Sequence, residues 1–147
     1  MSGTIARLTL RALDSLARLL PRKDSGPAHL HTGRRGEEAA YFYLREHGYM
    51  IIARNYRSPR SRSELDLVGW DGDTLCFIEV KTRTTRNIMP AEAAVDAEKQ
   101  RDLSRVAREF LRKIKGDPPF RFDIVSVYVE GGNGPDIVLF KDAFTIA

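Results

Sequence analysis

The chain has 147 residues and a mass of 16.6 kDa, which fits one domain with a single core and is too short for two ordinary domains. Apolar residues make up 42% and charged residues 30%, a balance that excludes a largely disordered or fibrous chain. The net charge is +4, but residues 1–36 hold seven Lys/Arg against two Asp/Glu, so the rest of the chain is nearly neutral. Any nucleic-acid interaction must therefore depend on local clusters of basic residues.

The single cysteine, Cys76, excludes an internal disulfide, and no Cys/His cluster has the spacing of a zinc site. No apolar run approaches the ~18 residues that a membrane-spanning helix needs, and the N-terminus lacks the continuous apolar region of a secretory signal. We therefore expect a cytoplasmic protein.

The N-terminal 30 residues differ in pattern from the rest. In residues 1–23 apolar side chains recur at helical spacing among four arginines, which predicts a basic amphipathic helix, and Pro21–Pro27 has the composition of a linker. We expect an extension over residues 1–30 and one domain over 31–147. A loosely attached extension, a membrane-surface or partner-binding segment and a transit peptide all remain open for the extension.

The first half of the predicted domain contains a helix and three strands. A helix is expected over residues 33–47, with Thr32 at its N-cap and Gly48 just beyond its end. A strand follows at 49–52. After an Arg-rich connection, residues 64–70 and 74–81 predict a β-hairpin with Asp71-Gly72 as its turn.

The second half predicts a crossover unit. Residues 97–115 carry apolar side chains at helical spacing, and residues 122–129 are rich in β-branched and aromatic types. A strand, a helix of this length and another strand form a crossover, so the strands at 74–81 and 122–129 should be parallel neighbours. With a last strand at 137–140, the order of elements indicates an α/β fold with a mixed central sheet.

Acidic residues gather at one end of the predicted hairpin. With a two-residue turn at Asp71-Gly72, Asp66 faces Phe77 and Glu64 faces Glu79, and all three carboxylates project with Lys81 from one face. Asp66 and Glu79 are then diagonal neighbours whose Cα atoms lie ~7 to 8 Å apart, so their carboxylates are near enough to share a cation. A turn of different length would shift this register.

Glu79 and Lys81 lie at the end of a strand that is apolar until these last residues, where sites in mixed sheets tend to form. Clustered like charges repel one another, and oxygen ligands favour Mg²⁺ or Mn²⁺ as the compensating ion. A metal held by two carboxylates beside a lysine suits phosphodiester hydrolysis. The alternative is an exposed face with ordinary cross-strand ion pairs.

Several motifs carry a family resemblance. Asp66 followed by Glu79-Val80-Lys81, after a helix bearing Glu37, is similar to the metal-dependent PD-(D/E)xK nucleases of the restriction-endonuclease-like fold, particularly the Holliday-junction resolvase branch. Across residues 31–147 the chain resembles the uncharacterised bacterial YraN family. The segments that carry this resemblance are 33–40, 55–57, 64–67, 77–83, 95–99, 121–123 and 142–144.

The resemblance implies roles for particular residues. Asp66 and Glu79 would be metal ligands with the Val80 carbonyl as a third, Lys81 the catalytic lysine and Glu37 the helix carboxylate that completes the site. The expected cofactor is Mg²⁺ or Mn²⁺. Ser63 stands where the family usually has Gly, which leaves the local backbone path open. Because four-way junctions have two-fold symmetry, resolvase activity would imply a homodimer.

Basic residues flank the acidic hairpin in sequence. The candidates for nucleic-acid binding are Arg57, Arg60, Arg62, Arg83 and Lys99. Lys99 falls with the apolar positions near the start of its helix, where it would point toward the sheet and contact a phosphate, or else be a frayed or snorkelling surface lysine. The opposite stripe is expected to face solvent, with contact to a phosphate backbone as the alternative: Arg101, Arg105, Arg108, Arg112 and Lys115. Since no base-reading motif accompanies them, we expect contacts to phosphates, with DNA as the partner.

Three functional hypotheses follow. The first is a Mg²⁺-dependent endonuclease that acts on DNA, with selectivity for structure rather than sequence. The second is a non-catalytic nucleic-acid-binding module on the same fold. The third is an interaction protein that its N-terminal helix recruits to a membrane or a larger complex.

Overall fold

The computed structural model describes residues 28–83, 95–129 and 133–146. Their elements are, in chain order, α1 (Ala28–Glu46), β1 (Met50–Arg57), β2 (Glu64–Asp71), β3 (Thr74–Arg83), α2 (Ala97–Lys113), β4 (Phe120–Tyr128) and β5 (Asp136–Phe144). The strands form one five-stranded sheet in sequential order, β1-β2-β3-β4-β5. The predicted N-terminal amphipathic helix and its linker, residues 1–27, lie outside the described residues.

The sheet is mixed. Strand β2 pairs antiparallel with β1 and β3, β3 pairs parallel with β4, and β4 pairs antiparallel with β5. The parallel pair is the one joined through α2, as the crossover predicts. The α/β class and the order of elements are therefore confirmed, and the arrangement is consistent with the restriction-endonuclease-like fold.

The two helices cover opposite faces of the sheet. On β3, Leu75 and Phe77 belong to a cluster that includes Phe110 of α2, whereas Cys76 and Ile78 belong to a second cluster with Leu44 of α1. This alternation follows from the period of two along a strand. Because β3 is buried on both faces, its charged end lies between two helical layers.

Helix α1 begins earlier than the sequence predicts. It starts at Ala28, so Thr32 lies inside the helix and the prediction that it caps the N-terminus is wrong. The C-terminal end matches the prediction: Gly48 has φ 88°, Gly48 N donates to Arg45 O at 3.2 Å, and Tyr49 N donates to Leu44 O at 2.9 Å. These are the two hydrogen bonds of a Schellman motif.

Strand β1 is also longer than predicted, since it continues through the expected Arg-rich connection to Arg57. The break comes at Ser58, whose buried hydroxyl accepts a hydrogen bond from Arg60 N at 3.1 Å and donates one to Glu109. Ser63 is outside the positive-φ region, so the local path accommodates the side chain that replaces glycine. No helix within the described ranges is both long and apolar enough to cross a membrane.

The hairpin turn lies one residue later in the chain than the sequence predicts. Asp71 pairs with Thr74, so the turn residues are Gly72 and Asp73 rather than Asp71 and Gly72. Gly72 has φ 59° at the first turn position, where a type II′ turn places glycine. The need for a positive φ at that position therefore moves the turn by one residue.

Candidate metal-dependent site

The corrected turn brings Asp66 and Glu79 closer in register than predicted. Backbone pairing of β2 with β3 runs from Asp71–Thr74 to Leu67–Ile78, which puts Asp66 directly opposite Glu79 if continued. Phe77 pairs with Val68, so the prediction that Asp66 faces Phe77 is wrong, and the continued register would bring Asp66 opposite Glu79.

Backbone pairing between the two strands gives way to a side-chain contact at Asp66. Asp66 Oδ2 accepts a hydrogen bond from Val80 N at 2.8 Å. The Asp66 carboxyl also lies within hydrogen-bonding reach of the Glu79 carboxyl. Burial, and then the charge of Glu79, raise the pKa of Asp66 from 3.8 to about 8. Ionising both carboxyl groups is therefore unfavourable without a cation, and a bound cation would remove that cost.

Glu79 is the most buried member of the site, with 7% of its side chain exposed. Its Oε1 lies 3.3 Å from Lys81 Nζ and 3.7 Å from Lys99 Nζ. Its Oε2 is buried and accepts no hydrogen bond from the residues that the structure describes. A buried carboxylate oxygen without a donor is costly unless a ligand contacts it.

Glu37 and Glu64 approach the site from α1 and from the start of β2. With its amide nitrogen as the donor, Asn55 of β1 bonds Glu64 Oε1 at 2.9 Å and Glu37 Oε2 at 3.2 Å. This orientation follows because an ionised carboxylate only accepts hydrogen bonds. The charge of Glu37 contributes to the raised pKa of Asp66. Glu37 is therefore near the carboxylate pair, as the resemblance implies.

Glu64 departs from the prediction that it shares a face with Asp66, Glu79 and Lys81. Leu65 and Val68 both pack on the α2 side of the sheet, whereas Leu67 packs on the α1 side, so strict alternation along β2 breaks near Asp66. Glu64 instead accepts a hydrogen bond from Arg57 Nε at 2.5 Å. The break leaves the Asp66 side chain free to turn toward Val80.

The donor set fits a hard divalent cation. Asp66 and Glu79 supply carboxylate oxygens, and the Val80 carbonyl lies between Glu79 and Lys81 in the chain. Within the described ranges no three His, Cys, Asp or Glu side chains are grouped closely enough to hold a metal by themselves. Mg²⁺ commonly binds through one or two carboxylates and completes its shell with water, so two carboxylates with an unpaired buried oxygen suit it.

The structure separates the predicted nucleic-acid-binding residues into two groups. Lys99 reaches Glu79 and so points toward the sheet. Arg83 follows the site on β3, and its buried Nε has no hydrogen bond within residues 28–83, 95–129 and 133–146. Arg60 and Arg62 are exposed on the β1–β2 connection, and Arg57 is exposed but paired with Glu64.

The arginine stripe of α2 is exposed as expected: Arg101, Arg105, Arg108 and Arg112.

Two residues of the site were not identified as functional from sequence. Asn55 has φ 50°, a left-handed conformation that asparagine tolerates better than most residues. Gly36, beside Glu37, lies against Thr82 so closely that a Cβ would meet Thr82 Oγ1 at 1.8 Å. Both belong to motifs that carry the family resemblance, but their roles depend on contacts between distant parts of the chain.

These features define a mixed α/β domain in which two carboxylates and two lysines meet where the central strands of the sheet separate. The chain belongs to the uncharacterised protein family UPF0102, whose family model matches residues 36–127. This range contains every residue of the candidate site, and the match confirms the YraN resemblance.

The chain is also similar to individual members of that family. A UPF0102 protein of Koribacter versatilis is 56% identical over 141 residues, which cover 96% of this chain and 95% of the relative. A UPF0102 protein of Solibacter usitatus is 46% identical over 113 residues, or 76% of this chain and 84% of the relative. A UPF0102 protein of Geotalea uraniireducens is 39% identical over 116 residues, which cover 78% of this chain and 90% of the relative.

Proposed function

We propose that this protein is a Mg²⁺- or Mn²⁺-dependent endonuclease that hydrolyses phosphodiester bonds in DNA. The observation that carries the proposal is the contact between Asp66 and Glu79 beside the Lys81 ammonium group. Burial and the nearby charge of Glu79 oppose ionisation of Asp66 in the metal-free site, and a divalent cation would stabilise both groups as carboxylates.

Each residue has a distinct task in this proposal. Asp66 and Glu79 hold the cation, together with the Val80 carbonyl. The bound cation would polarise a phosphate oxygen and lower the pKa of a coordinated water. The Lys81 ammonium group stabilises negative charge as it develops on the phosphate, or orients the attacking water. Glu37 completes the acidic side of the site, and Asn55 fixes its carboxylate by a hydrogen bond.

The basic residues around the site favour a phosphate backbone as the ligand. Arg60 and Arg62 are exposed on the connection that leads into β2, and Arg83 follows Lys81 on β3. Phosphate contacts of this kind orient a duplex without reading its sequence. Selectivity would then come from the shape of the DNA, such as a flap or a four-way junction.

A cleavage assay with purified protein on linear, flap and four-way-junction DNA tests the proposal. We expect cleavage with Mg²⁺ or Mn²⁺ and none with EDTA. Asp66→Asn, Glu79→Gln and Lys81→Met should each lower kcat by about 100-fold to 1,000-fold. Asp117→Asn, which removes an exposed carboxylate after α2, is the matched control and should cleave like the wild type.

The possible outcomes separate the hypotheses. Cleavage that all three variants retain would come from another site or a contaminant and would overturn the proposal. A wild-type protein that binds DNA and Mn²⁺ but cleaves none of the substrates would support the non-catalytic binding module instead. Circular dichroism and thermal unfolding of each variant exclude loss of fold as the cause of lost cleavage.

A further inference from the structure

Two amines from different elements contact the same carboxylate oxygen. Lys81 lies on β3 with Glu79, whereas Lys99 extends from the first turn of α2 to Glu79 Oε1 across 3.7 Å. The Lys81 contact is shorter, at 3.3 Å. Lys81 alone would pair Glu79, so the second amine calls for a separate explanation.

The backbone of Lys99 is held firmly by the start of α2. Asp96 caps the helix, and its Oδ1 accepts a hydrogen bond from Lys99 N at 2.8 Å. Gln100 Nε2 donates to Val95 O at 2.9 Å, and Val95 itself is buried. The anchored backbone aims the Lys99 side chain at the site, while 35% of that side chain stays exposed. The ammonium group is therefore placed at the boundary between the carboxylates and solvent.

We infer that Lys99 positions the substrate: it pairs with Glu79 in the metal-free protein and binds a phosphate oxygen of the nucleic acid once a divalent cation occupies the carboxylates. The inference rests on the proposed function. An ammonium ion beside Oε1 of Glu79 and a divalent cation bound by the same carboxylate would repel one another at that distance.

This role differs from that of Lys81. Lys81 follows the metal ligands on the same strand and is predicted to act on the reacting phosphate. Lys99 belongs to another element, and its longer contact is the weaker of the two. Loss of Lys99 should therefore raise KM with kcat nearly unchanged, whereas loss of Lys81 should lower kcat.

Lys99→Met and Arg101→Met are the variants for the test, since each removes one positive charge from the first turns of α2. Arg101 is exposed on the outward face and serves as the control. Calorimetry with Mn²⁺ alone measures metal affinity without nucleic acid. Fluorescence anisotropy of a labelled DNA duplex in Ca²⁺ measures binding without cleavage, at several salt concentrations.

For Lys99→Met we expect opposite changes in the two affinities. Mn²⁺ should bind at least ~3-fold more tightly because a neighbouring positive charge that repels it is gone. The duplex should bind ~10-fold or more weakly, and the dependence of log K on log salt should flatten by about 0.9, the loss of one phosphate contact. A lysine that only supported the fold would weaken both affinities, and Arg101→Met should change neither by more than ~2-fold.

Failure of the inference is distinguishable from failure of the proposed function. If the wild type binds Mn²⁺ and duplex, but Lys99→Met matches Arg101→Met in both measurements, Lys99 has no positioning role and the endonuclease proposal stands. If the wild type binds neither probe, both ideas are wrong.

Discussion

Thr82 Oγ1 occupies the space beside Gly36 that any other side chain would need: a Cβ on Gly36 would lie 1.8 Å from it. Gly36 precedes Glu37 on α1, and Thr82 follows Lys81 on β3. This close approach therefore sets the separation of α1 and β3 where both elements contribute to the candidate site.

Gly36→Ala should move α1 away from β3, and this displacement should lower both stability and function. We expect a loss of ~1 to 3 kcal/mol in the free energy of unfolding, the usual cost of overpacking, together with weaker Mn²⁺ binding. Urea unfolding and calorimetry measure the two effects.

Gly33 provides the matched control on the same helix. A Cβ there meets nothing within 4 Å, so Gly33→Ala should stabilise the protein by about 0.5 to 1 kcal/mol through helix propensity alone. Thr82→Ala should partly rescue Gly36→Ala in a double-mutant cycle. Equal effects of the two glycine substitutions would contradict the close-packing argument.

Asn55 links Glu37 and Glu64 from a left-handed backbone conformation. Asn55→Gly retains that conformation but removes the amide, so we expect near wild-type stability with a proposed cleavage rate reduced by ~10-fold as Glu37 loses its orientation. Asn55→Ala should add ~1 kcal/mol of backbone strain to the same functional loss. Thermal unfolding and cleavage kinetics distinguish the two effects, and unchanged cleavage in both variants would show that the link has no functional role.

The raised pKa of Asp66, about 8, makes the stability of the metal-free protein depend on pH. An aspartate in the unfolded chain has a pKa near ~3.9, so between these two values the folded state binds the extra proton. Protonated Asp66 therefore contributes its full stabilisation below the pKa of the unfolded chain. This stabilisation is lost as the pH rises to the pKa of the folded state.

Asp66→Asn should remove this dependence, since its amide oxygen can still accept the Val80 N–H. In EDTA, we expect the melting temperature of the variant relative to the wild type to rise between about pH 5 and about pH 8. Added Mn²⁺ should stabilise the wild type alone at the higher pH. A difference in melting temperature that stays constant with pH would refute the assignment.

A buried polar network fastens β5 to the sheet. Asp123 is fully buried and accepts hydrogen bonds from Tyr49 Oη at 3.1 Å, Arg121 Nε at 2.9 Å and Asp142 N at 3.0 Å. Asp123→Ala leaves these donors without their acceptor and should cost about 3 kcal/mol or more of unfolding free energy. Tyr49→Phe removes one donor and should cost about 1 kcal/mol. Urea unfolding measures the unfolding free energy of both variants. If Tyr49→Phe loses as much as Asp123→Ala, the expected order of the two losses is wrong.

The elements with strong periodicity were predictable because their signals are local. Helix α2 lies at Ala97–Lys113 against an expected 97–115, and the apolar run of β3 identified a strand buried on both faces. The limits of β1 and β5 were less accurate. Strand β1 continues through Arg54 to Arg57, where basic side chains suggested a connection, because backbone pairing with β2 outweighs composition there.

The hairpin shows why Asp66 and Glu79 lie close together even though the predicted strand register was wrong. Moving the turn from Asp71-Gly72 to Gly72-Asp73 shifts the pairing by two residues, and a shift by an even number does not by itself move a side chain to the other face. Asp66 and Glu79 therefore still meet, but as opposite neighbours instead of diagonal ones. Glu64 changes face because the alternation along β2 breaks near Asp66.

The sequence alone determined that carboxylates and a lysine cluster at the end of a buried strand, since alternation and burial are encoded within a few residues. Only the tertiary structure decided that Asp66 bonds Val80 N, that Lys99 reaches Glu79 and that Asn55 joins Glu37 to Glu64. Each of these contacts joins separate elements, so each depends on where β2 leaves β3 and on where the helices cross the sheet, positions that the packing of the whole chain sets.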